Sequence, residues 1–188
     1  MSQLSTISRN KHNLQLIGTL FMTAWVASVI NILSGGMLIR LGLLPRHLEG
    51  LKGILLGPLI HGSFSHLISN SIPFLVLGGL VSIQTSHRFR GTLTGLYLLS
   101  QGLLWILGRS AWHIGLSGLV FSFFGFILTT GYLKRDILSI TISVITILLY
   151  GGLLIGILPL EPHVSWEGHL MGLVAGIGIA CFSNATHK

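Results

Sequence analysis

Apolar residues gather into six long blocks along the chain, at roughly 14–34, 65–84, 92–108, 115–133, 137–157 and 166–183. Each approaches the roughly 20 residues that a helix needs to cross the hydrocarbon of a bilayer. The pattern predicts six spanning helices forming one membrane domain over 14–183, with short polar tails at 1–13 and 184–188. The first tail is expected to lack order. Residues 35–62 fit neither class, because Arg40, Arg46, Glu49 and Lys52 interrupt leucines and isoleucines at mixed spacing. A partly helical element lying in the outer headgroup layer is the expectation there. Pro73 predicts a kink in the second span, a feature that membrane helices tolerate. The first block follows Arg9 and Lys11 in the manner of a signal peptide, but its apolar run is longer and five more follow, so it reads as a retained helix.

Composition strengthens that reading. Only 8% of the 188 residues are charged, where a soluble domain carries about a quarter, so the chain cannot cover a water-facing surface. Its 25 glycines suit helices packed closely in lipid. The net charge of +7 does not indicate nucleic-acid binding, because the basic residues flank spans and form no patch. With the N-terminus inside, Arg9, Lys11, Arg88, Arg90, Lys134, Arg135 and Lys188 fall inside, and Arg40, Arg46, Lys52 and Arg109 fall outside. That bias predicts cytoplasmic termini. Small size and charge bias point to a bacterial inner membrane. The lone Cys181 has no partner for an internal disulfide and is expected to be a buried packing residue.

Ser117 lies in Gly115-Leu116-Ser117-Gly118 at the head of the fourth span, and His169 opens the sixth. Polar groups at such depth are costly and by default mark a working site. A serine hydroxyl becomes a nucleophile when a neighbouring base takes its proton. Of the outer-face histidines His61, His66, His113, His163 and His169, the last is the best base candidate. Gly172 and Gly176 share its helical face, and a smooth glycine face would hold the sixth span against the fourth. Gly115 and Gly118 bracket the serine in a shortened form of the nucleophile elbow. The helix N-terminus there offers unsatisfied N–H groups to an oxyanion. His66 and Asn70 stand four residues apart on one face and could add donors. No acid is placed to complete a triad: Asp136 and Glu49 are remote, and Glu167 points away from His169 if both are helical. A Ser–His dyad results, with Phe121, one turn after Ser117, able to stack on the imidazole.

These residues resemble the rhomboid family of intramembrane serine proteases. The resemblance rests on Gly-Leu-Ser-Gly at 115–118, on His61-x4-His66-x3-Asn70, and on His169-x2-Gly172-x3-Gly176. It covers nearly the whole chain and implies an all-α, six-transmembrane-helix bundle with a membrane-associated first outer loop. It also implies a water-filled cavity open to the outer face, in which Ser117 is nucleophile and His169 general base and then acid. His66, Asn70 and the Ser117 backbone N–H would form the oxyanion hole. The substrates implied are transmembrane segments of other proteins within the lipid bilayer, and no metal or organic cofactor is implied. Two positions depart from the family pattern. Phe121 stands where many relatives have tyrosine, and residues 35–60 hold no Trp-Arg pair, which leaves the loop's anchor unspecified.

The competing readings are a catalytically silent rhomboid-like protein that binds transmembrane clients, and a metal site or transporter built on the histidines. The intact Ser117/His169 pair argues against the first. The lack of a His-x3-His or His-Glu-x2-His motif argues against the second. Substrate identity and oligomeric state are not specified by the sequence.

Overall fold

The computed structural model describes residues 3–161 and 163–185. Its helices are α1 (Gln3–Leu33), α2 (Gly53–Leu56), α3 (Phe64–Thr85), α4 (Phe89–Leu107), α5 (Ser117–Lys134), α6 (Ile137–Tyr150) and α7 (Trp166–Ala185). Short 3-10 turns occupy Ile39–Leu41, Leu48–Gly50, Gly57–Leu59 and Gly151–Ile157. No strand occurs among the described residues, so the protein is all-helical. Segments of five helices are long and apolar enough to cross a membrane: Arg9–Leu33, Phe64–Thr85, Ser117–Lys134, Ile137–Ile157 and Trp166–Ala185. α4 is also long, at 19 residues, but it carries Arg90, Ser100 and Gln101. Its polar residues Ser100 and Gln101 are buried within the bundle.

α5 is the central helix. Every residue from Gly118 to Ile127 is buried, so it has no lipid-facing stripe. α6 is its opposite. Ser139, Ile142, Ser143 and Thr146 turn inward, while Leu138, Leu148 and Leu149 are exposed. Small polar residues inside and large apolar ones outside is the arrangement expected of a helix facing lipid. Ser143 Oγ donates to the Ile127 carbonyl at 2.9 Å and fixes α6 on α5. Asp136 caps the start of α6 by accepting from Ser139 N–H at 2.9 Å. These bonds hold its carboxyl below the usual carboxylate range.

Several expectations need correction. The described part of the first tail, residues 3–13, is helical, because α1 begins at Gln3. No glycine or proline interrupts residues 3–13, and extending an existing helix carries no nucleation cost. The fifth span is α-helical only to Tyr150 and continues as 3-10 turns, where Gly151, Gly152 and Gly156 loosen the backbone. Cys181 is exposed, on a face of α7 turned away from the glycine contact. Pro73 lies inside α3, the second of the expected spans. Lys188 lies outside the described residues.

Residues 35–62 fold as a compact plug of short turns. Leu43, Leu44, Pro58 and Ile60 point inward, while Met37, Leu48 and Leu55 are exposed. The plug closes through backbone contacts that only glycine permits: a Cβ on Gly53 would lie 2.1 Å from the Gly42 carbonyl. Its anchor uses an arginine and a tryptophan far apart in sequence. The Arg46 guanidinium donates to the carbonyls of Ile106 (3.1 Å) and Gly108 (2.6 Å) at the end of α4. Trp105 Nε1 donates back to the His47 carbonyl at 3.2 Å. A cation on the last carbonyls of a helix is a favourable cap.

Candidate active site

The loop from Gly108 to Leu116 delivers Ser117 to the first position of α5. Leu43 and His113 exchange both backbone hydrogen bonds, at 2.9 and 2.8 Å, which ties this loop to the plug. Gly115 has φ +108, a region costly for any residue with a side chain. A Cβ there would also fall 2.8 Å from the His66 ring. The glycine therefore serves both the turn and the approach of His66. Leu119 N–H and Val120 N–H both bond to the Leu116 carbonyl, so the N–H groups of Ser117 and Gly118 precede the first helical bonds and have no partner among the described residues.

His61, one of the outer-face histidines, is fully buried and holds this loop in place. Leu116 N–H donates to its Nε2 at 3.2 Å, and its Nδ1 lies 2.9 Å from Ser28 Oγ. An acceptor at Nε2 requires the proton at Nδ1, which makes His61 a neutral tautomer that donates to Ser28. Burial, and then the neighbouring His66, push its pKa down to about 3, in keeping with that assignment.

His113 is buried as well, and it links the loop to α7. Its Nε2 donates to the Arg109 carbonyl at 3.1 Å, so its Nδ1 is free to accept the Ser165 hydroxyl at 2.6 Å. Burial holds it below the ordinary histidine value. Ser165 Oγ in turn accepts from Gly168 N–H at 3.2 Å, the geometry of a helix N-cap. Arg109 adds an ion pair to Glu167 at 3.5 Å and a bond to the Val164 carbonyl at 2.9 Å. Glu167 is thus committed to Arg109. One loop seats the start of α5 and the start of α7 together.

From that seat α7 runs against α5 along its glycines. A Cβ on Gly172 would lie 2.1 Å from the Gly118 carbonyl, and one on Gly176 would lie 2.2 Å from the Ser122 carbonyl. The expected glycine face is real, and its contact is backbone on backbone. It brings the His169 ring flat onto Phe121, with centroids 4.3 Å apart and planes at 6°. His169 Nδ1 lies 2.7 Å from the Gly156 carbonyl, in the 3-10 turns after α6. A carbonyl only accepts, so Nδ1 carries the proton and Nε2 keeps its lone pair. The sequence had offered only Phe121 to steer this ring. No residue type identifies a carbonyl as a partner, so Gly156 carried no signal.

Ser117, His169, His66, Asn70 and Phe121 all line one cavity of about 920 Å³, together with Ser65 and His163. Ser117 Oγ forms no hydrogen bond among the described residues. Asn70 Nδ2 donates to the His66 carbonyl of its own helix at 3.0 Å, which leaves one of its two amide protons unspent. His66 packs edge-on against His61, with centroids 4.9 Å apart. Gly118 faces α4 and α7 instead of the cavity; a Cβ there would lie 3.2 Å from Gln101 Nε2 and 3.3 Å from the Gly168 carbonyl.

Comparison with known proteins agrees with this architecture. The Rhomboid domain family matches residues 49–184. Uncharacterised proteins of Mycobacterium bovis and Mycobacterium tuberculosis are each 34% identical over 173 residues, spanning 87% of this chain and 72% of theirs. A protein of Acanthamoeba polyphaga mimivirus that is named a rhomboid protein is 27% identical over 124 residues, 62% of this chain and 66% of that one. An apolar helical bundle of this composition is an integral membrane protein, and the chain belongs to the rhomboid family.

Proposed function

We propose that this protein is an intramembrane serine endopeptidase that cleaves transmembrane segments of other membrane proteins with Ser117 and His169. The observation that carries the reading is the state of His169. Its Nδ1–H is held by the Gly156 carbonyl and its ring by Phe121, so Nε2 is a basic lone pair in the cavity that Ser117 also lines. In this mechanism Nε2 takes the Ser117 proton as Oγ attacks the scissile carbonyl carbon. The oxyanion forms against the Ser117 N–H, the remaining Asn70 amide proton and His66. His169 then gives its proton to the leaving amine, and the acyl-enzyme forms. A water that loses its proton to Nε2 attacks the ester, and the new carboxylate departs as the proton returns to Ser117. Fixing the imidazole tautomer is the task an acid performs in a triad. Here a main-chain carbonyl performs it, without placing a buried charge in the bilayer.

The basic residues at the end opposite the cavity support cytoplasmic termini in a bacterial inner membrane, with the cavity facing outward. The decisive test uses the reconstituted protein and a fluorescent single-span substrate. Wild type should cleave it, and Ser117→Ala and His169→Ala should each lose roughly 10³-fold or more in turnover. Cleavage that survives Ser117→Ala would reject the serine mechanism. Tight substrate binding with no cleavage by wild type would assign the protein as a silent client binder.

A further inference from the structure

A second cavity, of about 200 Å³, opens at the end of the bundle opposite Ser117, where α3, α5 and α7 finish and α4 begins. The proposed proteolysis makes no use of it. Its polar lining includes Gln84, Arg88, Thr92, Thr130, Lys134 and Asn184, and Phe126 and Leu133 contribute apolar walls. No carboxylate is among the described residues that line it.

The Gln84 carboxamide is the most informative group. Both its Nε2 and its Oε1 are shielded from solvent and have no hydrogen-bond partner among the described residues. Folded proteins rarely leave such a group unpaired, and an absent ligand is one standard reason. It asks for one acceptor and one donor. Thr92 and Thr130 are nearly buried, and their hydroxyls bond to no group among the described residues. Arg88 and Lys134 add positive charge at the rim. The carbonyl ends of three helices also reach this region, but Lys134 Nζ donates to the Gln84 carbonyl at 3.3 Å and so covers the α3 end. α4 presents its N-terminal N–H groups, which favour an anion.

We propose that this cavity binds the headgroup of an anionic phospholipid whose phosphate is esterified to a hydroxyl-bearing alcohol, as in phosphatidylglycerol. The phosphate oxygens accept from Arg88, Lys134, the threonine hydroxyls and Gln84 Nε2. A headgroup hydroxyl donates to Gln84 Oε1. Phe126 and Leu133 meet the glycerol and the first methylenes. Basic pockets between membrane helices are established sites for anionic headgroups. A choline headgroup supplies neither the net negative charge nor the hydroxyl.

The test reads lipid binding and does not depend on proteolysis. The full-length protein is delipidated and placed in nanodiscs of phosphatidylcholine alone or with phosphatidylglycerol. Thermal unfolding is followed there, and retained lipid is followed by native mass spectrometry in detergent. Phosphatidylglycerol should raise the unfolding temperature and survive as a one-to-one adduct. Arg88→Gln with Lys134→Gln should weaken the adduct at least tenfold. Gln84→Leu should raise stability in phosphatidylcholine alone while removing the response to phosphatidylglycerol, so a variant that folds well still decides the question. Equal behaviour in the two lipids, or an undiminished adduct in the charge variant, overturns the proposal. A shift with free glycerol phosphate and none with the lipid also overturns it, in favour of a soluble phosphate ester.

Discussion

Three histidines of the site have fixed protons, and each proton is set by what its ring faces. His169 is held by a carbonyl and His113 by a carbonyl and a hydroxyl, while His61 is held by a hydroxyl and an amide N–H. His61 makes a pH prediction. Its pKa of about 3 in the folded state lies below the roughly 6.5 of an unfolded histidine. Between those values the unfolded chain binds a proton that the folded one does not. The His61 contribution is therefore fully present above about pH 6.5 and is lost as pH falls, by about 1.4 kcal/mol per unit. Denaturant unfolding in detergent from pH 7 to 5 should show this slope, and His61→Gln, which keeps one donor and one acceptor, should flatten it. A parallel slope in the variant would reject the assignment. Ser165 makes a second prediction. Ser165→Ala removes a helix cap and the donor to His113, so stability should fall by about 1 kcal/mol. Turnover should fall further than KM changes, because His169 lies in the first turn of the helix that Ser165 caps, and Ser165→Thr should restore both. Unchanged kcat in a folded Ser165→Ala protein would show that the cap does not position the base.

Helices α5 and α7 meet with no side chain between them at Gly118–Gly172 and Ser122–Gly176. In lipid, where apolar burial does not drive helices together, such contact supplies much of the association. Even one methyl has no room there. Gly172→Ala should cost about 1–3 kcal/mol, in the range of other overpacked sites, and should lower cleavage by moving His169 from Ser117. Thermal unfolding and single-turnover cleavage would check it, and full activity at unchanged stability would refute the close contact. α6 plays a different part. It is mostly lipid-exposed, yet the turns beyond it hold the proton of His169. The 3-10 conformation of Gly151–Ile157 brings the Gly156 carbonyl to the ring. A Cβ on Gly156 would press on His169 Nδ1 at 3.0 Å and on Phe121 Cζ at 3.2 Å.

At the scale of the molecule, the two ends of the bundle differ in kind. Ser117, His66 and His169 gather at one end. At the other, Arg9 meets His87 at 2.6 Å and Asn13 Nδ2 donates to the Ser86 carbonyl at 2.9 Å. α1 therefore starts, and α7 finishes, at the end away from the cavity. Tags on both termini should resist protease added outside intact cells and be cut after permeabilisation. Digestion of either tag in sealed cells would reverse the proposed orientation. The plug of residues 35–62 completes the cavity end. It is clamped by Arg46, Trp105 and the Leu43–His113 pair, so the anchor that the sequence left unspecified is assembled from separate segments.

The sequence alone established the membrane setting and the helical class, and it singled out Ser117, His169, His66, Asn70 and Phe121, which line one cavity. Block hydrophobicity and costly polar residues are properties of each segment by itself, and lipid enforces them locally. It could not reveal that His61 and His113 are buried struts, that Cys181 is exposed, or that residues 3–13 belong to α1. Nor could it find the partner of His169, because every residue carries a carbonyl and only the packed chain decides which one faces an imidazole. The tertiary structure made that choice through the loosened turns at Gly151–Ile157, which bring one carbonyl to the ring that the glycine contact of α5 with α7 has seated.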